Sequence, residues 1–302
     1  MRNLIRVPAT TANLGPGFDC LGLALDLWND VEVEAAGETL SITVEGEGAN
    51  EVPLDHSNTI YKAMQTYAQR HLKTLPKGVK LHCRNRIPFG AGLGSSAAAI
   101  VSGILSAAAL LDLPLDIKDQ LDCATQIEGH PDNVGPCLFG GLVAAILNDQ
   151  KVIARKLEVA PLSIMIVVPE FHFPTKTARA ALPPELPRKD AIFNLGHLAL
   201  LLHGLGRGDL GLLAAAMQDK LHQPYRIPVI PGAAEAIAAA MQTGAAAVAL
   251  SGAGPSLLIV LQNDSERSQV GEAVMSSFRS AGLTSRVYTP AIALSGASIS
   301  II

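Results

Sequence analysis

Aromatic side chains are scarce in this chain: they make up 4% of its 302 residues, with a single Trp. The interior must therefore be aliphatic, drawn from the Ala, Leu, Ile and Val that dominate its 49% hydrophobic content. Charge is thin as well. Charged residues make up 17%, and the formal net charge is −4. That balance gives no broad cationic face for nucleic acid or an anionic membrane. Any phosphate bound here must be held by local donors.

Cysteine is also sparse. Cys20, Cys83, Cys123 and Cys137 form no C-x-x-C pair, and no leader-peptide pattern opens the chain. They read as reduced, mostly buried thiols, which makes the cytoplasm the expected compartment. No known zinc spacing joins Cys123, His130 and Cys137. Long apolar runs are lacking too. The longest strongly apolar helical stretch, Ser95 to Leu111, is shorter than the ~20 residues needed to cross a bilayer. It reads as a core helix.

Two familiar phosphate loops are missing. A Walker loop needs a Lys after its last glycine, and none follows Gly94. The dinucleotide pattern G-x-G-x-x-G does not match Gly90-x-Gly92-x-Gly94. What stands there instead is Arg86-Ile87-Pro88-Phe89-Gly90-Ala91-Gly92-Leu93-Gly94-Ser95-Ser96-Ala97-Ala98. Glycines let the backbone approach a ligand closely. A helix beginning at Ser95 would present unpaired N–H groups and the positive end of its dipole. This combination favours phosphate, and the Ser96 hydroxyl suits a phosphate-bound Mg²⁺. The plainer alternative is a glycine turn leading into a buried helix.

A chain of this length favours two domains, here 1–155 and 156–302. Leu4 to Val7 reads as a strand stopped by Pro8, and Pro8 to Asp19 as a polar, glycine-rich loop. Val31 to Glu34 and Leu40 to Glu45 alternate as half-buried antiparallel strands do. Helical spacing runs from Ile60 to Leu72, and Val79 to Cys83 alternates as a strand. Ile117 to Glu128 reads as a helix capped by Asp116 and ended by Gly129-His130-Pro131-Asp132-Asn133. Strands follow at Leu142 to Leu147 and Ser163 to Val168. Further on come helices near 192–205, 210–220 and 233–242, and strands at 246–250 and 256–261. A helix at 265–281 and a strand at 285–288 close the pattern. Helices and strands mix without strict alternation, an α+β pattern. No internal repeat or low-complexity linker appears.

Three segments together resemble the GHMP small-molecule kinase family: Pro8 to Asp19, Pro88 to Ala98, and the turn Leu250-Ser251-Gly252-Ala253-Gly254-Pro255-Ser256. The run Pro88 to Ala97 is similar to that family's ATP loop. Glu128-Gly129-His130-Pro131-Asp132-Asn133-Val134 and His222-Gln223-Pro224-Tyr225-Arg226 resemble its members that act on an amino-acid alcohol. The likeness spans Leu4 to about Tyr288. It implies an α+β, two-domain fold. The N-terminal domain would be similar to ribosomal protein S5 domain 2, and the C-terminal domain ferredoxin-like. It implies phosphoryl transfer from ATP to the side-chain hydroxyl of L-homoserine, with Mg²⁺, and a homodimer.

The resemblance assigns residues to tasks. Asn58 lies on the adenine side, although an N-cap alone would explain it. Pro88, Phe89, Gly90, Ala91, Gly92, Leu93, Gly94, Ser95, Ser96, Ala97 and Ala98 form the nucleotide loop. Ser96 and Glu128 are the implied Mg²⁺ ligands, against the ordinary reading of Glu128 as a solvated helix-end acid. Arg179 and Arg226 match positions for the substrate carboxylate, which suits a guanidinium fork; by position alone each is a surface Arg. Asn13, Asp19 and Asp132 are candidates for the ammonium group, although Asn13 and Asp19 also suit Asx-turns. Thr175 lies near the transfer site. Asn133 stands where several relatives carry an Asp base, and an amide cannot take a proton at neutral pH. Asp132 is the rival base, and the favoured expectation is no dedicated base. His130, His222 and Tyr225 read as packing groups around the site. The open alternatives are a GHMP kinase for mevalonate or a sugar, and an ATP-binding member without activity.

Overall fold

A computed structural model describes residues 2–149 and 151–302. The chain opens with β1 (Arg2–Asn13), β2 (Gly17–Ala35) and β3 (Leu40–Gly46), then α1 (Thr59–Arg70) and β4 (Val79–Asn85). Three helices follow, α2 (Ser95–Leu111), α3 (Ile117–Glu128) and α4 (Pro131–Phe139), before β5 (Leu142–Asn148) and β6 (Lys151–Leu157). The second half carries β7 (Ile164–Pro169), α5 (Thr175–Ala180), α6 (Arg188–Arg207), α7 (Leu210–Ala216) and α8 (Gln223–Arg226). It continues with α9 (Ala233–Gln242), β8 (Ala245–Leu250), β9 (Leu257–Leu261), α10 (Arg267–Ser280), β10 (Ser285–Tyr288) and β11 (Ser298–Ile301).

The first sheet runs β11-β1-β2-β4-β3, with β5 paired to β2 and β6 to β5. The 19-residue β2 serves two partners, β4 through Asp30 to Ala35 and β5 through Leu21 to Leu23. Helices α1 to α4 close one core with this sheet, around Met64, Tyr67, Ile104 and Val134. α2 is apolar nearly all round because α1, α3, α4, β1 and β2 enclose it, as a fully buried helix must be.

The second sheet runs β10-β7-β9-β8, every pair antiparallel. Numbered by their own sequence order, these strands read 4-1-3-2, the ferredoxin-like arrangement that the resemblance implied. β7 is apolar at every position because both faces are covered. Ile164, Ile166 and Val168 belong to the larger core with Leu201, Leu205 and Leu213, while Met165 and Val167 belong to a second core with Val270, Val274 and Phe278.

Four expectations change. The segment from Pro8 to Asn13 is strand, because Pro8 stands beside the register shift between Pro8 and Ala9, where a missing N–H is tolerated. The turn proper is short, and Asn13, Leu14 and Asp19 take left-handed backbone there. β3 pairs with β4 in parallel, since α1 intervenes and carries the chain back as a crossover. Asp132 and Asn133 lie in the first turn of α4 and not in a loop. Pro131 supplies the preset φ of a helix start, but Gly135 and Pro136 hide the helix from a propensity reading. Finally, a division after residue 155 falls inside β6, and β11 returns to pair with β1. The amino-terminal layer therefore includes the end of the chain.

Candidate active site

The glycine loop is held in shape by the two other motifs. Thr10 N–H donates to the Leu93 carbonyl at 3.1 Å. Ser251 Oγ donates to the Gly92 carbonyl at 2.7 Å, and Ser256 Oγ to the Ala91 carbonyl at 2.6 Å. Gly252 N–H reaches the Ala12 carbonyl at 3.0 Å. The Ser251–Ser256 turn is thus both the β8–β9 hairpin connection and the brace beneath the loop. Gly92 and Gly94 are required there. Both have positive φ, and a Cβ on Gly92 would stand 2.3 Å from the Ser251 carbonyl oxygen. Ser95 Oγ accepts from Gly90 N–H at 3.4 Å, and α2 starts at Ser95 as expected.

The loop opens on one cleft of about 330 Å³. Among its lining residues are Asn13, Asp19, Asn58, Phe89, Gly90, Gly92, Gly94, Ser95, Ser96, Glu128, Asp132, Asn133, Thr175, Arg179 and Arg226. The other loop residues do not line it. Pro88, Ala91, Leu93, Ala97 and Ala98 are buried and support the loop from below, so their side chains offer a nucleotide nothing. Asn58 keeps its cap role, accepting from Ile60 N–H at 2.9 Å and donating to the Pro53 carbonyl at 2.7 Å. Around it, Val31, Val44, Val52, Pro53 and Ile87 form an apolar wall suited to a flat base.

Ser96 Oγ donates to Glu128 Oε2 at 2.7 Å. Burial pushes the Glu128 carboxyl up, with Asp132 adding to it against the pull of Ser96 and His130. Two hard oxygens thus meet beside the loop. Among the described residues no group of three or more His, Cys, Asp or Glu side chains is arranged to hold a metal alone.

His130 Nδ1 is 2.5 Å from Asp132 Oδ1. Burial would lower the imidazole, but the bond to Asp132 and the charges of Asp132 and Glu128 raise it overall. The same Asp132 oxygen accepts from Asn133 N–H at 3.0 Å. Asn133 Oδ1 accepts from Thr10 Oγ1 at 2.8 Å, and Asn133 Nδ2 donates to Asp132 Oδ1 at 3.4 Å, which leaves one N–H of the Asn133 amide without a protein partner among the described residues.

At the other end Arg179 grips Asp19 with two nitrogens, at 2.9 and 2.7 Å. The bond to Asp19 raises the Arg179 pKa. Asn13 connects the walls, donating to the Gly252 carbonyl at 2.7 Å and accepting from Asp19 N–H at 3.0 Å. Arg226 is 2% exposed. It touches the Ala178 carbonyl at 3.3 Å, His222 Nδ1 at 3.2 Å and the Gly252 carbonyl at 3.4 Å. Burial, with the like charge of Arg179 second, lowers its pKa to about 10. Phe18 lies under both guanidinium groups, 5.7 Å from Arg179 and 5.2 Å from Arg226.

Thr10, Phe18, Ser251 and Asp219 escaped the sequence reading. Thr10 and Phe18 sit inside a segment singled out for other members, but their side-chain partners lie more than 100 residues away. Only the His222–Arg226 spacing of four gave a local signal, since such a pair shares a helix face. Tyr225 is half-buried and lines no part of the cleft. All four cysteines are free. No helix among the described residues is long and apolar enough to cross a membrane.

Residues 58–141 match the family model for the GHMP kinases N terminal domain, and residues 201–280 that for the GHMP kinases C terminal. The homoserine kinase of Moorella thermoacetica is 43% identical over 93% of this chain and 94% of its own length. That of Gloeobacter violaceus is 42% identical over 98% of each. Among solved structures, homoserine kinase from Cytophaga hutchinsonii superimposes with a TM-score of 0.88 at 30% identity, over 99% of this chain and 97% of that one. L. major mevalonate kinase shares the fold alone, with a TM-score of 0.73 at 14% identity over 95% of this chain and 94% of that one.

Proposed function

The chain belongs to the GHMP kinase family, and on that premise we infer that it transfers the γ-phosphoryl group of ATP to the side-chain hydroxyl of L-homoserine. The product is O-phospho-L-homoserine, a precursor on the route to threonine. One observation carries the reading: the phosphate loop with its Ser96–Glu128 pair and the two arginines Arg179 and Arg226 line a single cleft. A nucleotide tail and a carboxylate-bearing alcohol fit its two ends.

The N–H groups at the start of α2, with its dipole, hold the phosphates. The apolar wall around Asn58 takes the adenine. Ser96 and Glu128 suit Mg²⁺, which commonly takes one or two protein oxygens together with substrate phosphates. When bound, that ion neutralises charge on the phosphate oxygens.

Arg179 and Arg226 receive the homoserine carboxylate, and Asp19, Asn13 and Asp132 the ammonium. Asp19 already lies against Arg179, so the zwitterion inserts its two charges into an existing pair of opposite sign. The hydroxyl then points toward Asn133 and Thr175, beside the loop. Asn133 lines the cleft, and the N–H of its amide not used by Asp132 orients the hydroxyl oxygen and accepts no proton. Asp132 holds His130 and the Asn133 backbone and amide through Oδ1, which leaves Oδ2 as the oxygen that meets the ammonium. The reaction therefore works by alignment and charge neutralisation, with the hydroxyl proton passing late to the transferred phosphoryl group.

We place the reaction in the cytoplasm, where four free thiols persist, and in a homodimer, which light scattering on the purified chain tests. A coupled ADP-release assay with homoserine, mevalonate and galactose tests the substrate. Turnover is expected with homoserine, and preference for mevalonate or galactose would overturn the assignment.

A further inference from the structure

Behind Arg226 lies a buried polar group that no step above uses. His222, four residues earlier, and Asp219 have fully buried side chains. His222 Nε2 is 2.9 Å from the Gly15 carbonyl oxygen, and its Nδ1 is 3.2 Å from Arg226 Nη1. A carbonyl oxygen only accepts, and a guanidinium only donates. The two contacts together assign the ring: hydrogen on Nε2, a lone pair on Nδ1, no net charge. Burial supports the neutral form, lowering the imidazole pKa although the Asp219 carboxylate lies 3.6 Å from Nε2.

The surroundings leave the ring no freedom. Asp219 accepts from the backbone N–H groups of Leu221, His222 and Gln223 at 2.9, 2.9 and 2.7 Å, and from Asn194 Nδ2 at 2.7 Å. That clamps the turn from which α8 starts. Phe18 stacks on the imidazole with centroids 5.3 Å apart, and the two arginines lie over the same Phe18 ring. Arg226 has two other partners, the Ala178 and Gly252 carbonyls, at 3.3 and 3.4 Å. Both are near the long limit of a hydrogen bond. His222 Nδ1 is its shortest contact.

We propose that His222 is the positioning residue for Arg226. Its unprotonated Nδ1 accepts from Nη1 and aims the guanidinium fork into the cleft. Its Nε2–H ties the ring to Gly15, in the turn that carries Asn13 and Asp19. One imidazole therefore registers the carboxylate end of the substrate site against the ammonium end. The proposal rests on the reading of homoserine as substrate, and it makes substrate KM depend on a ring that never touches substrate.

Two variants separate the bonds. In His222→Gln the amide nitrogen reaches the Nε2 position, so the bond to Gly15 survives and the acceptor for Arg226 is lost. In His222→Asn the amide oxygen takes the Nδ1 position, so the acceptor survives and the Gly15 bond is lost. Expected is a homoserine KM raised roughly tenfold in the Gln variant, with KM for ATP within about twofold of wild type, and substantial rescue in the Asn variant. Equal impairment in both, or a wild-type KM in the Gln variant, would overturn the proposal. A second measurement needs no variant. Long-range ¹H–¹⁵N spectra of the wild-type chain, labelled on histidine, are expected to show His222 as the Nε2–H tautomer; a ring protonated at Nδ1 would equally overturn it. Homoserine turnover by the wild-type chain tests the function itself, so the two failures carry different signatures.

Discussion

Arg179, on α5, closes a two-nitrogen bridge onto Asp19, on β2, at 2.9 and 2.7 Å. The pair joins the two halves of the molecule across one end of the cleft. Both side chains are more than a third exposed, so the pair contributes at most about 1 kcal/mol to stability. Asp19→Asn is therefore expected to leave the urea midpoint nearly unchanged while raising KM for homoserine about tenfold or more. KM for ATP stays near the wild-type value. A large loss of stability with unaltered homoserine kinetics would make the pair a structural tie instead.

Gly94 cannot carry a side chain. Its φ is +69°, and a Cβ would stand 2.0 Å from Thr10 Oγ1. Gly94→Ala is expected to cost roughly 1–3 kcal/mol of stability and to weaken nucleotide binding by tenfold or more in calorimetric titration with ADP. Adding Thr10→Ala removes the 2.0 Å contact but not the Asn133 Oδ1 contact at 3.1 Å or the backbone strain, so it restores part of the loss. Full ADP affinity in the single variant would show that the loop tolerates displacement.

Glu128→Gln keeps the size of the side chain and removes its charge. It is expected to lower kcat by about 10²-fold and raise the Mg²⁺ concentration for half-maximal rate. Steady-state rates across a Mg²⁺ titration check both. Ser96→Ala shifts the Mg²⁺ dependence in the same direction to a smaller degree. Wild-type rate at low Mg²⁺ in Glu128→Gln would remove that residue from the metal site.

On the proposed reading Arg226 has a dual role, because it is buried as well as facing the carboxylate. Arg226→Ala removes the donor to His222 Nδ1 and to the Ala178 carbonyl, an expected cost of about 1–3 kcal/mol. It also deletes a carboxylate partner, so KM for homoserine rises about 10²-fold or more while KM for ATP holds. Chemical denaturation and the two KM values, measured together, separate the effects.

Acid is expected to weaken the fold through His222. Burial lowers its folded pKa below the ordinary 6.5, while the unfolded ring titrates near that value. Between the two, the unfolded chain binds more protons. The contribution is therefore full above pH ~6.5 and falls as pH drops below it, by up to about 1.4 kcal/mol per pH unit. Arg226 and Asp219 face the ring in both states of the comparison, and His130 titrates in either protein. Urea midpoints at pH 7.5 and 5.5 are expected to differ less in His222→Asn than in wild type. Equal differences would show that His222 contributes no pH dependence.

Local physics was legible in the chain itself. Apolar periodicity and the Asp116 cap located α3 at Ile117–Glu128, and the hydroxyl-then-alanine run located the start of α2 at Ser95. The glycine spacing announced a tight loop at the start of α2 because only glycine tolerates both the backbone and the close approach found there. Helix turns, caps and the positive φ of a glycine depend on neighbours within about four residues, so their signals survive in one dimension. The rest depends on pairings that sequence distance conceals. Thr10 finds Asn133, Asn13 finds Gly252, and Arg179 finds Asp19. The parallel seating of β3, the short helix at Pro131, the return of β11 to β1 and the neutral ring behind Arg226 are all settled by burial and by donors meeting acceptors across the fold. Those meetings exist only once both sheets and their helices have closed around the cleft.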